Sequence, residues 1–377
     1  MRLLSLLLIL LFQLTSLLAQ KHISHTPLRM IIPSAQLPDG VHTMHSNNNL
    51  DLAFFDGRYY VAFRTAPTHF ASSKAHIYMV SCTDMLNWRL EQDVCLKADV
   101  REPRFLVMNG QLMLYFFEGG TKMLKFEPRH IWLSMKDSTD NWAISLVEGM
   151  DGFVPWRLKE HNGIAYLSAY YGKGLYQATH QGNLRLFTSS NGREWVPLHT
   201  KAQVTTPGAE EGEFEFDREG NLWATVRLEG TGAYIAYASR DSLHAWQLFP
   251  TKKKYDSACM FKHGDDIYLL SRRNLDGDFG KTARWIPYKI SQKYNLIRYS
   301  VTAKVTALFK LNMITKEMDH VMDFPSTGDN AYPAIVKVSN DKYMMLNYSS
   351  DFTEGQKNWI RGQLGRTNIY LTEIEFR

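Results

Sequence analysis

Four tryptophans recur along this chain at nearly constant spacing: Trp88, Trp142, Trp195 and Trp246, with gaps of 54, 53 and 51 residues. Each closes a similar phrase: SCTDMLNW, SMKDSTDNW, TSSNGREW and ASRDSLHAW. An acidic or amide residue stands four or five positions before each Trp: Asp84, Asp137, Asn191 and Asp241. A fixed period near 50 residues means repeated supersecondary units that bury their faces against one another. A ring of such units presents equivalent strand ends to one central axis, and chemistry is expected there.

A strand-turn-strand phrase precedes each Trp motif. LDLAFFDGRYYVAFR turns at Asp56-Gly57, PRFLVMNGQLMLYFF at Asn109-Gly110, PWRLKEHNGIAYLSAYY at Asn162-Gly163, and EFEFDREGNLWATVR at Glu219-Gly220. Asn-Gly and Asp-Gly between apolar runs are strong hairpin signals, because type I′ turns need positive φ at both central residues. Two further copies lack the Trp: YDSACMFKHGDDIYLLSRR, turning near Gly264-Asp265, and AYPAIVKVSNDKYMMLNYSS, turning at Asn340-Asp341. Six hairpin cores, each followed by two more strands, predict an all-β fold. The architecture expected over residues 45–377 is a six-bladed β-propeller of four-stranded antiparallel blades. A pair of β-sandwiches with accidental periodicity is the plainer alternative, and two motifs recurring in register argue against it.

Residues 1–19 carry one Arg, a long apolar run and a small residue at Ala19. This pattern predicts a cleavable secretory signal and a secreted or periplasmic protein. Residues 20–44 read as a lead-in segment. No other stretch approaches the ~20 apolar residues of a membrane span. Three cysteines (Cys82, Cys95, Cys259) are no disulfide framework, although Cys82 and Cys95 are close enough in sequence to pair. No CxxC or HExxH spacing suggests a metal, and no cofactor is expected. The formal net charge of +5 is slight and scattered, which argues against nucleic acid as a partner. Abundant aromatics suit both packed blades and a glycan partner.

Charged residues cluster at the predicted strand ends. Arg64 ends the second strand of unit one. Arg101, Glu102 and Arg104 open unit two, and Trp156 and Arg157 open unit three. Glu210, Glu211 and Glu213 open unit four, with Arg227 ending its second strand. Asp256 opens unit five, with Arg272 and Arg273 ending its second strand. Asp329 and Tyr332 open unit six. Converging guanidinium groups suit an anion, which they bind bidentately; rim pairing with nearby carboxylates is the plainer reading. A phenol has a pKa of about 10, so Tyr332 needs a carboxylate as base to act as nucleophile. It reads equally as an ordinary strand-start aromatic. His69 is a candidate proton donor or a structural loop residue, and Glu102 a candidate acid or an ion-pair partner of Arg101 or Arg104.

With these residues placed, the chain resembles the sialidase-like six-bladed propellers across nearly all of residues 20–377. The Trp phrases are similar to degenerate Asp-boxes, best in TSSNGREW. FRTAP at 63–67 is similar to the family's FRIP motif and makes Arg64 its first triad arginine. The Glu213–Arg227 spacing is similar to the family's Glu and second arginine, LLSRR supplies the third at Arg272 or Arg273, and NAYPAIVKV is similar to the nucleophile segment at Tyr332. The resemblance implies an exo-acting glycoside hydrolase for a terminal acidic sugar, such as sialic acid. Tyr332 activated by Glu213 would attack the anomeric carbon while the arginines hold the carboxylate. Arg101, Arg104, Arg157 and Asp329 complete the expected substrate-binding set. The chain departs from the family in two ways. No Asp occurs between Asp56 and Asp84, where the family has its acid/base, so His69 and Glu102 are the candidates to replace it. FRTAP also lacks the Ile of FRIP. Two rivals stand beside this reading. One is a furanosidase- or fructosidase-like five-bladed propeller using Asp51, Glu102 and Glu213, and the other a non-catalytic glycan-binding propeller. The segment from Asp276 to Val305 reads as a lid or as a long loop of unit five.

Overall fold

The computed structural model describes residues 22–123, 125, 127–171, 184–279 and 285–377, without the side chain of residue 288. The expected signal over 1–19 lies outside the described residues. The fold is an all-β propeller with four blades of four-stranded antiparallel sheet. This corrects the expected six. The blades begin at the inner strands Asp99–Met108, Phe153–His161, Ala209–Phe216 and Asp256–His263. The remaining strands form one nine-stranded sheet, in which Thr367–Phe376 runs directly into Ser46–Phe55.

The fusion rests on one parallel pairing, Thr367 with Ser46. Side chains fasten it. Asn47 N donates to Thr367 Oγ1 at 3.0 Å, and Asn47 Nδ2 donates to the Thr367 carbonyl at 3.1 Å. The segment read as a lead-in adds two strands to this sheet, Ile23–His25 and Arg29–Ile32, both antiparallel to Thr367–Phe376. Both ends of the described chain thus share a sheet.

The turns follow the local chemistry. Asp56, Asn109 and Asn162 have φ of 46°, 52° and 53°, each followed by a glycine at positive φ, as type I′ hairpins require. Three of the Asp-box-like phrases fold as Asx turns, and the fourth as a 3-10 turn in which Ser239 Oγ accepts from the Asp241 amide. Asp84 Oδ1 accepts from the Leu86 and Asn87 amides, and Asn191 Oδ1 from those of Arg193 and Glu194. Cys82 is buried and Cys95 exposed, and both are free thiols, so the possible pairing is not formed.

Inner strands pack each on the next: Ser46–Phe55 on Asp99–Met108, and so on to Asn330–Lys337, which returns to Ser46–Phe55. The ring they close surrounds a central axis. The largest apolar cluster runs from Leu50 and Phe63 through Tyr115 and Trp156 to Leu346 and Ile369, and separate clusters around Met260 and Leu270 fill the fifth unit. Burial of each such side chain contributes about 1.5–3 kcal/mol. Among the described residues two α-helices interrupt the β pattern, α1 (Tyr288–Val301) and α2 (Trp359–Leu364), and they pack against each other. The α1 segment is the one read from sequence as a lid or loop.

Candidate active site

Each inner strand breaks register near its start. The shifts fall between Asn48 and Leu50, Arg101 and Arg104, Pro155 and Arg157, Glu210 and Glu213, Asp256 and Cys259, and Ala331 and Ala334. A β-bulge leaves a residue unpaired and re-aims its side chain. Asn49, Glu102, Trp156, Glu211, Ser257 and Tyr332 occupy these shifts, and all six line one axial cavity of about 580 Å³. Five of them sit in the left-handed region, with φ of 38°, 52°, 47°, 51° and 57° for Asn49, Glu102, Glu211, Ser257 and Tyr332. Such backbone costs on the order of 1 kcal/mol per residue and concentrates at functional sites.

Tyr332 is 2 % exposed. Its ring meets Trp156 edge-on at 5.5 Å, and the Arg104 guanidinium stacks over its face at 4.1 Å. Burial raises the phenol well above 10; Arg104 opposes this, and the Glu102 carboxylate adds to it. Neither Tyr332 Oη nor Glu102 Oε2 has a well-aligned hydrogen bond, although Glu102 is near enough to act on the phenol. Asn49 Nδ2 holds the other carboxylate oxygen, Glu102 Oε1, at 3.1 Å. The carboxylate beside the phenol is therefore Glu102. Glu213, expected to activate Tyr332, does not line the cavity. It is fully buried and accepts from Arg157 Nε at 2.6 Å. Arg157 and Asp51 are likewise buried behind the wall, 3.8 Å apart.

His69 lines the cavity, and its Nδ1 is 2.6 Å from Asp329 Oδ2. Burial raises the Asp329 carboxyl, but His69, Arg272 and the Tyr348 hydroxyl outweigh it and hold the group below its ordinary value. Asn48 Nδ2 lies 3.1 Å from the same ring nitrogen, so Asn48 and the Asp329 carboxylate together face Nδ1. Arg64, expected to bind a substrate carboxylate, does not reach the cavity. It pairs with Asp99 at 2.7 Å and donates to the carbonyls of Phe70 at 3.0 Å and Thr68 at 3.4 Å. Arg101, on Asp99's other oxygen, donates to the His69 carbonyl at 2.6 Å. Two buried guanidinium groups thus fix three consecutive carbonyls of the loop that carries His69.

Arg101, Arg227 and Arg272 line the cavity. Arg272 donates to the Asn330 carbonyl at 2.6 and 2.9 Å and stands 3.6 Å from Asp329. Arg273, next along the strand, points the other way, as pleating requires. It pairs with Asp323 on the rim. Arg104 lies behind the wall, with none of its three side-chain nitrogens hydrogen-bonded. Glu211, Glu229, Lys254, Asp256 and Tyr299 supply the cavity's far side. Glu211 and Asp256 were read from sequence as charged strand-start residues, whereas Glu229, Lys254 and Tyr299 were not singled out. Six to eight residues separate each bulge residue from its hairpin turn, and alignment on the turns was the signal available.

That far side is crowded with carboxylates. Arg227 stands 2.6 Å from Glu210, 2.6 Å from Glu211, 3.5 Å from Glu229 and 3.5 Å from Asp256. Lys254 adds one more cation, 3.0 Å from Glu229. Burial raises Glu210 and Glu211 to about 7 despite Arg227, because the acids outnumber the bases. The folded chain therefore holds protons here that the unfolded chain releases above about 4.5. Raised carboxyls stabilise the fold at low pH, and that stability is lost as pH rises through about 7. Thermal melting of wild type is expected to fall across this window, and Glu211→Gln to flatten the fall. An unchanged slope in the variant would place the protons elsewhere. Among the described residues no group of three or more His, Cys, Asp or Glu side chains is arranged to hold a metal.

No family model matches the chain, and no curated protein matches it. Solved structures do. A protein of unknown function from Dyadobacter fermentans superposes with a TM-score of 0.65 at 12 % identity, over 94 % of this chain and 99 % of that one. Trypanosoma rangeli sialidase with the inhibitor DANA gives 0.61 at 11 % identity, over 93 % of this chain and 59 % of the other. The endosialidase of phage phi92 gives 0.60 at 11 % identity, over 87 % and 66 %. The fold is shared with sialidases. At these identities the likeness concerns the fold, and the chain spans less than two thirds of either sialidase.

Proposed function

We propose that the protein is a retaining, exo-acting glycoside hydrolase that cleaves a terminal acidic sugar. The observation that carries this reading is the Tyr332 phenol set beside Glu102 in one cavity with the His69–Asp329 pair. Tyr332 Oη attacks the anomeric carbon and passes its proton to Glu102. His69, paired with Asp329, gives its Nε2 proton to the leaving oxygen. In the second half, water attacks the glycosyl-tyrosine, His69 takes the water proton, and Glu102 returns the proton to the phenol. Two inversions give retention. A Tyr nucleophile is an attested exception to the two-carboxylate scheme. Arg101, Arg227 and Arg272 are the cations available to a sugar carboxylate.

One observation favours a second reading, in which the sugar is neutral. Arg227 already faces four protein carboxylates, so a substrate carboxylate would compete with them. The test is fluorophore release from the 4-methylumbelliferyl α-sialoside and from neutral 4-methylumbelliferyl glycosides by the purified protein. Sialoside cleavage supports the acidic reading; cleavage of a neutral glycoside alone supports the second. No turnover in a folded sample would sink both and leave glycan binding.

His69→Ala separates protonation from attack. Turnover of an unactivated glycan is expected to fall roughly 10²–10⁴-fold, the usual worth of a general acid. An aryl glycoside whose leaving group needs no proton should suffer far less. Equal losses on both substrates would remove His69 from that role.

A further inference from the structure

Helix α1 is built inside out. Its polar residues Gln292 and Asn295 are each 2 % exposed, and Asn295 Nδ2 donates to the Gly230 carbonyl at 3.2 Å. On the opposite face Ile290, Tyr294, Ile297 and Val301 are 59, 56, 67 and 56 % exposed. Their spacing places them on one stripe, and a helix of a globular domain normally buries such a stripe. Helix α2, packed against α1, continues it with exposed Ile360 and Leu364. The same two helices supply Leu296, Tyr299, Trp359 and Gln363 to the cavity wall, so the apolar stripe flanks the candidate active site.

The charge on the two helices has one sign. Lys289, Lys293 and Arg298 lie on α1 and Arg361 on α2, and neither helix contains an Asp or Glu. A second copy seated on the face would bring these cations against their own kind. The required partner is both anionic and apolar. An exposed stripe of Ile, Val and Tyr edged by lysines has the make-up of helices that lie in the membrane interface, where lysine stems cover apolar surface and the ammonium reaches the head groups. No helix among the described residues is long and apolar enough to cross a membrane, so the contact lies on the bilayer.

We propose that α1 and α2 dock the protein on an anionic lipid surface, which sets the cavity beside lipid-borne glycans. Docking does not depend on the catalytic reading. The test is flotation of the purified chain with vesicles of phosphatidylcholine, with and without phosphatidylglycerol. Flotation is expected only with the anionic lipid and is lost as salt rises. At the usual worth of a basic residue near such a surface, Lys289→Gln combined with Lys293→Gln should weaken partitioning roughly 30-fold. Ile297→Asp should abolish it, with unchanged thermal melting showing that the variant folds. No flotation, or equal flotation on both vesicles, overturns the proposal. So does a dimer in solution that Ile297→Asp dissociates, because the face then belongs to a second copy.

Discussion

Tyr332→Phe is expected to cut turnover at least ~10⁴-fold while leaving the protein folded, because removing a nucleophile costs about that much or more. The substitution deletes one oxygen and keeps the ring. The edge contact with Trp156 and the stacked Arg104 both involve that ring and survive. The lost hydroxyl has no aligned hydrogen bond in the resting protein, so no buried partner is newly orphaned. Thermal melting should stay close to wild type, and the loss should appear in kcat rather than KM. A mass increase of one glycosyl unit on the Tyr332 peptide, seen in quenched wild type and absent from the variant, would identify the intermediate directly. A variant that retains wild-type kcat sinks Tyr332 as nucleophile, whatever the substrate.

Much of this architecture was legible because it repeats. The Trp phrases and hairpin turns are local signals, fixed by Asx or Ser-capped turn chemistry and by positive φ at Asp-Gly and Asn-Gly. They located every inner strand and the turn after it. The merging of the first and last units into one sheet was not legible. It depends on Thr367 meeting Ser46 and Asn47, more than 300 residues away in sequence. Helix α1 was missed for a different reason. Its apolar residues face outward, and its buried face carries Gln292 and Asn295, so its pattern contradicts the rule by which a helix is read. The site shows the same division. Tyr332 and Glu102 were visible as chemistry-bearing residues near strand starts, and His69 as one in the loop after Arg64. The partners of the arginines were not, because they are tertiary. Arg64 finds Asp99 in the next unit and donates to the Thr68 and Phe70 carbonyls of the His69 loop.

Glu213 gives the largest stability effect expected here and separates the two roles a buried carboxylate can have. It has no exposed surface, it neutralises Arg157 at 2.6 Å, and Lys159 lies 3.8 Å away. Burial lowers the Arg157 guanidinium, but Glu213, Cys259 and Asp51 outweigh it and leave the group raised, so Arg157 stays charged. Glu213→Ala should strand that charge in a dry interior, since Asp51 at 3.8 Å is too distant to replace the lost hydrogen bond. Breaking one side of a buried pair typically costs about 3–5 kcal/mol, and the variant should melt far below wild type. Replacing both partners together, Glu213→Leu with Arg157→Met, removes the unpaired charge and should recover most of that loss, because well-packed apolar residues are often no worse than a buried ion pair. If Glu213 instead served the phenol directly, the double variant would regain stability and still lack turnover, while Glu102→Gln would keep it. The geometry predicts the reverse: the double variant active once folded, and Glu102→Gln folded and inactive.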